Sequence, residues 1–194
     1  MSRREMVRPG GRSARVQALV HTAVRELEAE VGRDALTVPL IAKHAGVTPS
    51  TIYRRWGDLR ELLSDVAVER LRPDTEPADT GDLSSDLTTW AEQFLDEMAS
   101  PAGRAHVRDA LLGDPDGSNA GQCSGYAAEQ VAAILARATT RGERTPEVET
   151  VMDRVVAPMM YRILFRPAGL DAAYARRLVA DLLGAPGPGQ PTAG

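Results

Sequence analysis

The sequence predicts an all-α protein, with a small N-terminal helical head and a longer helical body. Three observations carry this expectation. Apolar residues recur at steps of three and four along the 194 residues, with no strand-like alternation and no internal repeat. Aromatic residues make up only 4% of a chain that is 43% hydrophobic, so alanine and leucine, both good helix formers, fill most of the core. The run from Arg72 to Gly81, with Pro73 and Pro77, breaks the periodicity between two parts of opposite charge. The first 60 residues hold eleven Lys and Arg against six Asp and Glu, and the remainder hold twelve against twenty-one. A basic head on an acidic body suits a head that meets a polyanion, although the formal net charge is -4.

The elements follow in order. Residues 1–12 carry Arg3, Arg4, Arg8 and Arg12 among Pro9, Gly10 and Gly11, and read as a disordered basic arm. The head spans 13–71. Its first helix runs from Ser13 to Val31 with Val16, Leu19, Val20, Ala23, Leu27 and Val31 on one face, and Gly32 ends it. Thr37 caps a short helix that Gly46 closes. Thr48-Pro49 starts another almost at once, carrying Ile52, Tyr53 and Trp56 as far as Gly57. Asp58, with Glu61 three residues on, opens a further helix in a capping-box pattern.

The body spans 83–183. Expected helices are Leu83 to Ala99, Ala102 to Leu112, Ser124 to Arg141 after a loop from Gly113 to Gly121, one opened by Pro146 and apolar around much of its circumference, and a last one beginning at Asp171. The Gly- and Pro-rich segment 184–194 reads as a disordered tail.

Several classes of function are disfavoured. No stretch approaches the ~20 apolar residues of a membrane span, and the arginine-rich start lacks the apolar segment of a secretory signal, so a cytoplasmic protein without membrane contact is expected. Cys123 is the only cysteine, which rules out an intrachain disulfide and a cysteine zinc cluster. His21, His44 and His106 show no metal-ligand spacing, and there is no phosphate-cradling glycine loop or nucleophile setting. Neither an enzyme nor a cofactor is expected.

Two short helices joined through Ala45-Gly46-Val47 have the geometry of a helix-turn-helix, whose second helix enters the DNA major groove. Ile52 and Trp56 share one side of that helix and close a core with Val47, Ile41 and Val20, which leaves Pro49, Ser50, Tyr53 and Arg54 to project. The segment Thr37 to Leu63, with Ala45-Gly46-Val47-Thr48, Thr51-Ile52-Tyr53, Trp56 and a capped helix bearing paired leucines, resembles the DNA-binding segment of the tetracycline-repressor (TetR) family. The resemblance implies a three-helix DNA-binding head and a body for ligand binding and dimerisation. It implies a sequence-specific transcription regulator that acts as a repressor and leaves its operator on binding a small molecule. Activator action fits the same architecture, and a helical binding protein that has lost specific DNA contact is the alternative.

Carried over onto this sequence, the resemblance makes Thr51, Tyr53 and Arg55 phosphate contacts, sets Thr48 as cap of the recognition helix close to the backbone, and turns Pro49, Ser50 and Arg54 to the bases. Thr37 and Arg60 join them at the edges. Two positions depart from the family's habit: Leu59 stands where many members carry a phosphate-binding lysine, and Pro39 where they often carry a basic residue. Arg60 is the candidate replacement. The expected partners are a palindromic double-stranded operator, a second copy of the chain, and a small apolar or amphipathic ligand. Trp90, Phe94, Met98, Tyr126, Met152 and Met159 are candidates to line the ligand pocket. The strongly apolar helix from Val151 to Leu164, with the last helix, is the candidate pairing surface.

Overall fold

The structure, a computed structural model, describes residues 11–184. The expectations for the arm, except its last two residues, and for the tail beyond Gly184 lie outside the described residues. The head contains α1 (Arg12–Val31), α2 (Val38–Ala45), α3 (Pro49–Trp56) and α4 (Leu59–Arg70). Arg12, expected in the arm, opens α1.

Local chemistry places these helices. The Thr37 hydroxyl accepts from the Leu40 amide at 3.3 Å, and an Asp58 carboxylate oxygen accepts from the Glu61 amide at 2.9 Å, each satisfying a first-turn donor. Val20, Val24, Leu27, Ile41, Ile52, Trp56, Leu62 and Val66 form the head core. Leu19 and Val31, expected on the buried face of α1, are exposed. Val24 and His21 are buried in their place, because the inward stripe of α1 is centred on Val20, Ala23, Val24 and Leu27.

α4 belongs to both halves of the molecule. Leu62, Leu63 and Val66 close the head core, while Ala67 and Val68 pack on Ala110 of α6 (Pro101–Leu112). The contact is close because Gly113 lets the end of α6 meet the α4 backbone: a Cβ at that position would lie 2.1 Å from the Arg60 carbonyl oxygen. The Ser64 hydroxyl donates to the Ala110 carbonyl at 2.9 Å and accepts from the Asn119 amide at 2.7 Å. Arg33 pairs with Asp109, and Arg70 with Glu28 at 3.1 Å, so α1 and the turn after it also grip this junction.

The expected linker is held down. Arg137 donates to the carbonyls of Pro77 and Ala78 at 2.8 and 2.7 Å, and Gln130 donates to that of Thr75 at 2.9 Å. The body then contains α5 (Leu83–Ala99), α6, α7 (Ser118–Thr140), α8 (Val148–Val151), a π turn (Met152–Val156), α9 (Ala157–Phe165) and α10 (Ala172–Gly184). No strand occurs among the described residues. α10 packs along α5, and both join α7, α8 and α9 in one apolar core that includes Leu87, Trp90, Ile134, Met159 and Ile163.

Two expected helix starts need correction. α7 begins at Ser118, six residues before the expected Ser124, because Asp116 accepts from the Ser118 amide at 3.2 Å and Asp114 from the Ala120 amide at 2.8 Å. The helix expected from Pro146 starts at Val148. It also contains a wide turn, in which the Ala157 amide donates to the Met152 carbonyl five residues back. Pro158 follows, and a proline has no amide to continue the ordinary ladder, so a π turn is the local accommodation. No helix among the described residues is long and apolar enough to cross a membrane.

Candidate functional site

The helix-turn-helix is built from α2 and α3. Gly46 takes the left-handed conformation (φ 68°, ψ 30°), and the Val47 amide turns back to the Ala42 carbonyl at 2.9 Å. α3 therefore leaves at once in a new direction. Its Ile52 and Trp56 are buried, and its opposite side is open. Pro49, Ser50, Tyr53 and Arg54 are exposed there, with Thr51 half-buried beside them. Tyr53 keeps 49% of its surface exposed.

The expected site residues fall into distinct groups. Thr37 caps α2. Thr48 occupies the cap position of α3 but makes no bond to its backbone; its hydroxyl pairs with those of Ser50 at 3.3 Å and Thr51 at 3.0 Å. The cap expected of Thr48 is replaced by a hydroxyl cluster at the start of the helix. Arg54 and Arg60 are exposed and make no side-chain bond among the described residues. Arg55 is turned back to α1: it donates to the Ser13 carbonyl at 3.1 Å, the Ser13 hydroxyl at 2.5 Å and Gln17 at 2.6 Å, and its guanidinium lies 5.1 Å from the Trp56 ring centre. Leu59 packs against the head core, which explains an apolar residue there, and Pro39 is exposed in the first turn of α2.

Sequence reasoning missed a polar cluster beneath α3. His21, 1% exposed, points one ring nitrogen at Asp65 (2.9 Å) and the other at Glu69. Asp65 also accepts from the Trp56 indole at 2.7 Å and the Gln17 amide at 3.0 Å. Burial opposes charge on His21, but the hydrogen bonds to the two carboxylates outweigh it and raise its pKa above the ordinary histidine value. Burial likewise opposes charge on Asp65, and its bonds to His21 and Trp56 reverse the effect and lower its pKa. The spacing of His21, Asp65 and Glu69 held the only sequence signal, an i, i+4 acidic pair on the inner side of α4.

The body contains a cavity of about 520 Å³. Trp90, Phe94, Met98, Tyr126 and Met152 all line it; Met159 does not. Met159 is fully buried in the core, and Met160 takes the lining position. The π turn accounts for the exchange. It places Met152, Val156, Met160 and Leu164 in one row along the cavity and Val151, Val155, Met159 and Ile163 in the adjoining core row, a four-residue spacing that an unbroken α-helix would rotate away from. The end of α4 and the segment after it, Arg70 to Thr75, form another wall. Cys123 lies on the lining, where burial pushes its thiol up to about 11 and so keeps it neutral.

Residues 20–66 match the model for bacterial regulatory proteins of the tetR family, and residues 77–182 match that for the tetracyclin repressor-like C-terminal domain. The chain belongs to the TetR family. It is a transcriptional regulator, and the first match contains α2 and α3 whole. Among its relatives, the HTH-type transcriptional regulator YdeS of Bacillus subtilis is 27% identical over 174 residues, covering 82% of this chain and 84% of that one. The HTH-type transcriptional regulator AqdR of Rhodococcus erythropolis is 30% identical over 101 residues, 52% of this chain and 49% of that one. Among solved structures, the TetR family transcription regulator SCO0332 is similar over 89% of this chain and 99% of its own, with a TM-score of 0.64 and 25% identity. Thermus thermophilus FadR, a TetR-family repressor solved with lauroyl-CoA, shares the fold over 92% of this chain and 99% of its own, with a TM-score of 0.62 and 20% identity.

Proposed function

We propose that this TetR-family regulator is a dimeric repressor that places α3 of each copy in successive major grooves of a palindromic operator and is released by a small apolar or amphipathic ligand in the body cavity. Residues 13–71 form the DNA-binding unit and 83–183 the ligand-binding and pairing unit. Ser50 and Arg54 face bases beside Pro49; Thr48, Thr51 and Tyr53 meet phosphate, Arg60 supports them at the edge, and Thr37 caps α2. Arg55 serves by holding α3 to α1.

One observation carries the ligand response: the cavity wall includes Arg70, Leu71 and Arg72, the end of the helix whose beginning is packed in the head core. α4 has twelve residues and is about 18 Å long, so a ligand that shifts its end displaces the recognition helix at the other. The lining is largely apolar and aromatic and also includes Arg70, Arg72, Gln93 and Glu97, a combination that suits an amphipathic molecule such as the acyl ligand bound by the Thermus repressor. Pairing is favoured by Tyr161 and Phe165, neighbouring rings on α9 that are 54% and 70% exposed and that a second copy would cover.

The test is selection of genomic fragments by the purified protein, followed by affinity measurements on the fragment found. Tyr53→Phe is expected to weaken binding about fivefold on all sequences, and Arg54→Ala to relax preference at particular base pairs by ~1–3 kcal/mol. Equal, weak affinity for selected and random duplex would favour the alternative of a helix-turn-helix without specific DNA contact, which Pro39, Leu59 and the inward Arg55 keep in view.

A further inference from the structure

The hydrogen-bond geometry beneath α3 supports an inference that rests on the reading of α3 as the DNA-contacting helix. Both ring nitrogens of His21 face carboxylate oxygens, Nε2 toward Asp65 and Nδ1 toward Glu69. Carboxylates only accept, so both nitrogens donate and the ring is an imidazolium. The same Asp65 oxygen that receives His21 also receives the Trp56 indole and the Gln17 amide, and the Gln17 carbonyl oxygen receives Arg55. The last two residues of α3 are thus attached to α1 through Ser13 and Gln17 and to α4 through one oxygen of Asp65. We propose that His21 is a positioning residue for the recognition helix: its two N–H groups hold Asp65 and Glu69 of α4 against α1, and the orientation of α3 follows from theirs.

The surrounding charges fit this role. Glu69 has a second cation nearby, Arg25 of α1 at 3.7 Å, but that pair is exposed. From α3, Arg55 faces Asp65 and favours its anionic form. The charges of α2, Lys43 and His44, are exposed, and His44 is paired with Glu26 at 2.8 Å. His21 is therefore the only fully buried cation of the cluster. Removing its proton leaves one carboxylate facing a ring lone pair where it had received a hydrogen bond, and the α1–α4 clamp weakens at that point. Because the two carboxylates favour the imidazolium in the folded head, its stabilising contribution is complete below the ordinary histidine value of about 6.5 and is lost as pH rises through the higher value of the folded protein. Operator affinity should fall in the same window, above the ordinary histidine value.

The experiment uses the full-length protein and its selected operator fragment. Imidazole nitrogen shifts report whether both His21 nitrogens are protonated at neutral pH, and operator affinity is followed from neutral to alkaline pH in wild type, His21→Gln and Glu69→Gln. Wild type is expected to lose about tenfold more affinity across this range than His21→Gln, which has no proton to lose. Glu69→Gln removes one carboxylate from a half-exposed position and should move both the nitrogen titration and the affinity midpoint to lower pH, which tests the idea even if His21→Gln fails to fold. A singly protonated ring at neutral pH, or parallel affinity profiles in all three proteins, would overturn the inference while leaving the repressor reading intact. Absence of operator binding at every pH would remove the reading and the inference with it.

Discussion

The recognition helix and the cavity wall are held in place on different principles. In the head, an apolar core of four helices encloses one ionic cluster, and the indole of Trp56 is bound by Asp65 as well as packed. In the body, the buried Asp86 carboxylate is bonded to Thr80 and Arg141 near the start of α5, while a larger apolar and aromatic core lies against a cavity of about 520 Å³. Polar bonds have directions, so a core built around them permits few alternative packings. Apolar contacts among Met, Leu and Phe do not, and such walls adapt to what they enclose. The end of α3 is held by bonds that converge on Asp65, whereas most of the cavity wall is held by apolar contact, the bond from the Trp90 indole to Gln130 being an exception.

α4 joins these two regimes, and a histidine marks each. At the head, His21 lies between Asp65 and Glu69, which raise its pKa above the ordinary value. Near the body, His106 accepts from Arg70 at 2.6 Å, and its burial, with the Arg70 charge, lowers its pKa below the ordinary value and keeps it neutral. The two histidines therefore meet adjacent residues of α4, His21 at Glu69 and His106 at Arg70, with opposite shifts in acidity.

The largest expected effect comes from breaking the head. Trp56→Ala removes a buried indole, its bond to Asp65 and the platform beneath Arg55 together, and should cost about 3–5 kcal/mol of head stability. Thermal unfolding of this variant followed by circular dichroism should show the head melting ahead of the body. A single transition displaced as a whole would mean that the junction on α4 and α6 fuses the two cores into one unit.

Gly113→Ala attacks the junction instead. Gly113 has an ordinary backbone conformation, so the cost is steric alone: the new methyl meets the Arg60 carbonyl at 2.1 Å and the Ser64 Cβ at 2.8 Å. α4 and α6 must separate, and about 1–3 kcal/mol of stability should be lost. Operator affinity should change with it, because the displaced segment is the first turn of α4, next to α3. Unchanged affinity at reduced stability would show that α3 takes its position from α1 alone.

The sequence carried the head more fully than the body, for the same physical reason. Thr37, Gly46, Pro49, Gly57 and Asp58 act within one helical turn of themselves, so the boundaries of α2, α3 and the start of α4 follow from local rules. The start of α7 was hidden because Asn119 and Gly121 have loop-like composition, while the carboxylates of Asp114 and Asp116 that accept from its first amides lie in the loop before it. Arg55 is expected to meet phosphate; it is exposed, and its direction toward α1 depends on Ser13 and Gln17, about forty residues away. Met159 and Met160 exchange places because a π turn shifts the face of the helix, which a count at ordinary helical spacing does not register.

The smallest expected effect on the folded protein is also the sharpest test of the contrast between the two cores. Ala127 of α7 is 7% exposed and lines the cavity. In a close-packed interior, Ala127→Leu would force its neighbours aside, but here the added carbons enter existing space, so stability should stay within about 1 kcal/mol of wild type. The head is not touched, and operator affinity without ligand should be unchanged. Response to ligand should fall, because the volume that a guest would occupy is filled and a ligand shifts a conformational equilibrium only by the difference in its affinity for the two states. Medium-chain acyl compounds added to the operator complex give the readout: release from wild type and retention by Ala127→Leu would place the effector in this cavity. Equal release from both would put it elsewhere on the chain, and the adaptable body core would then serve pairing alone.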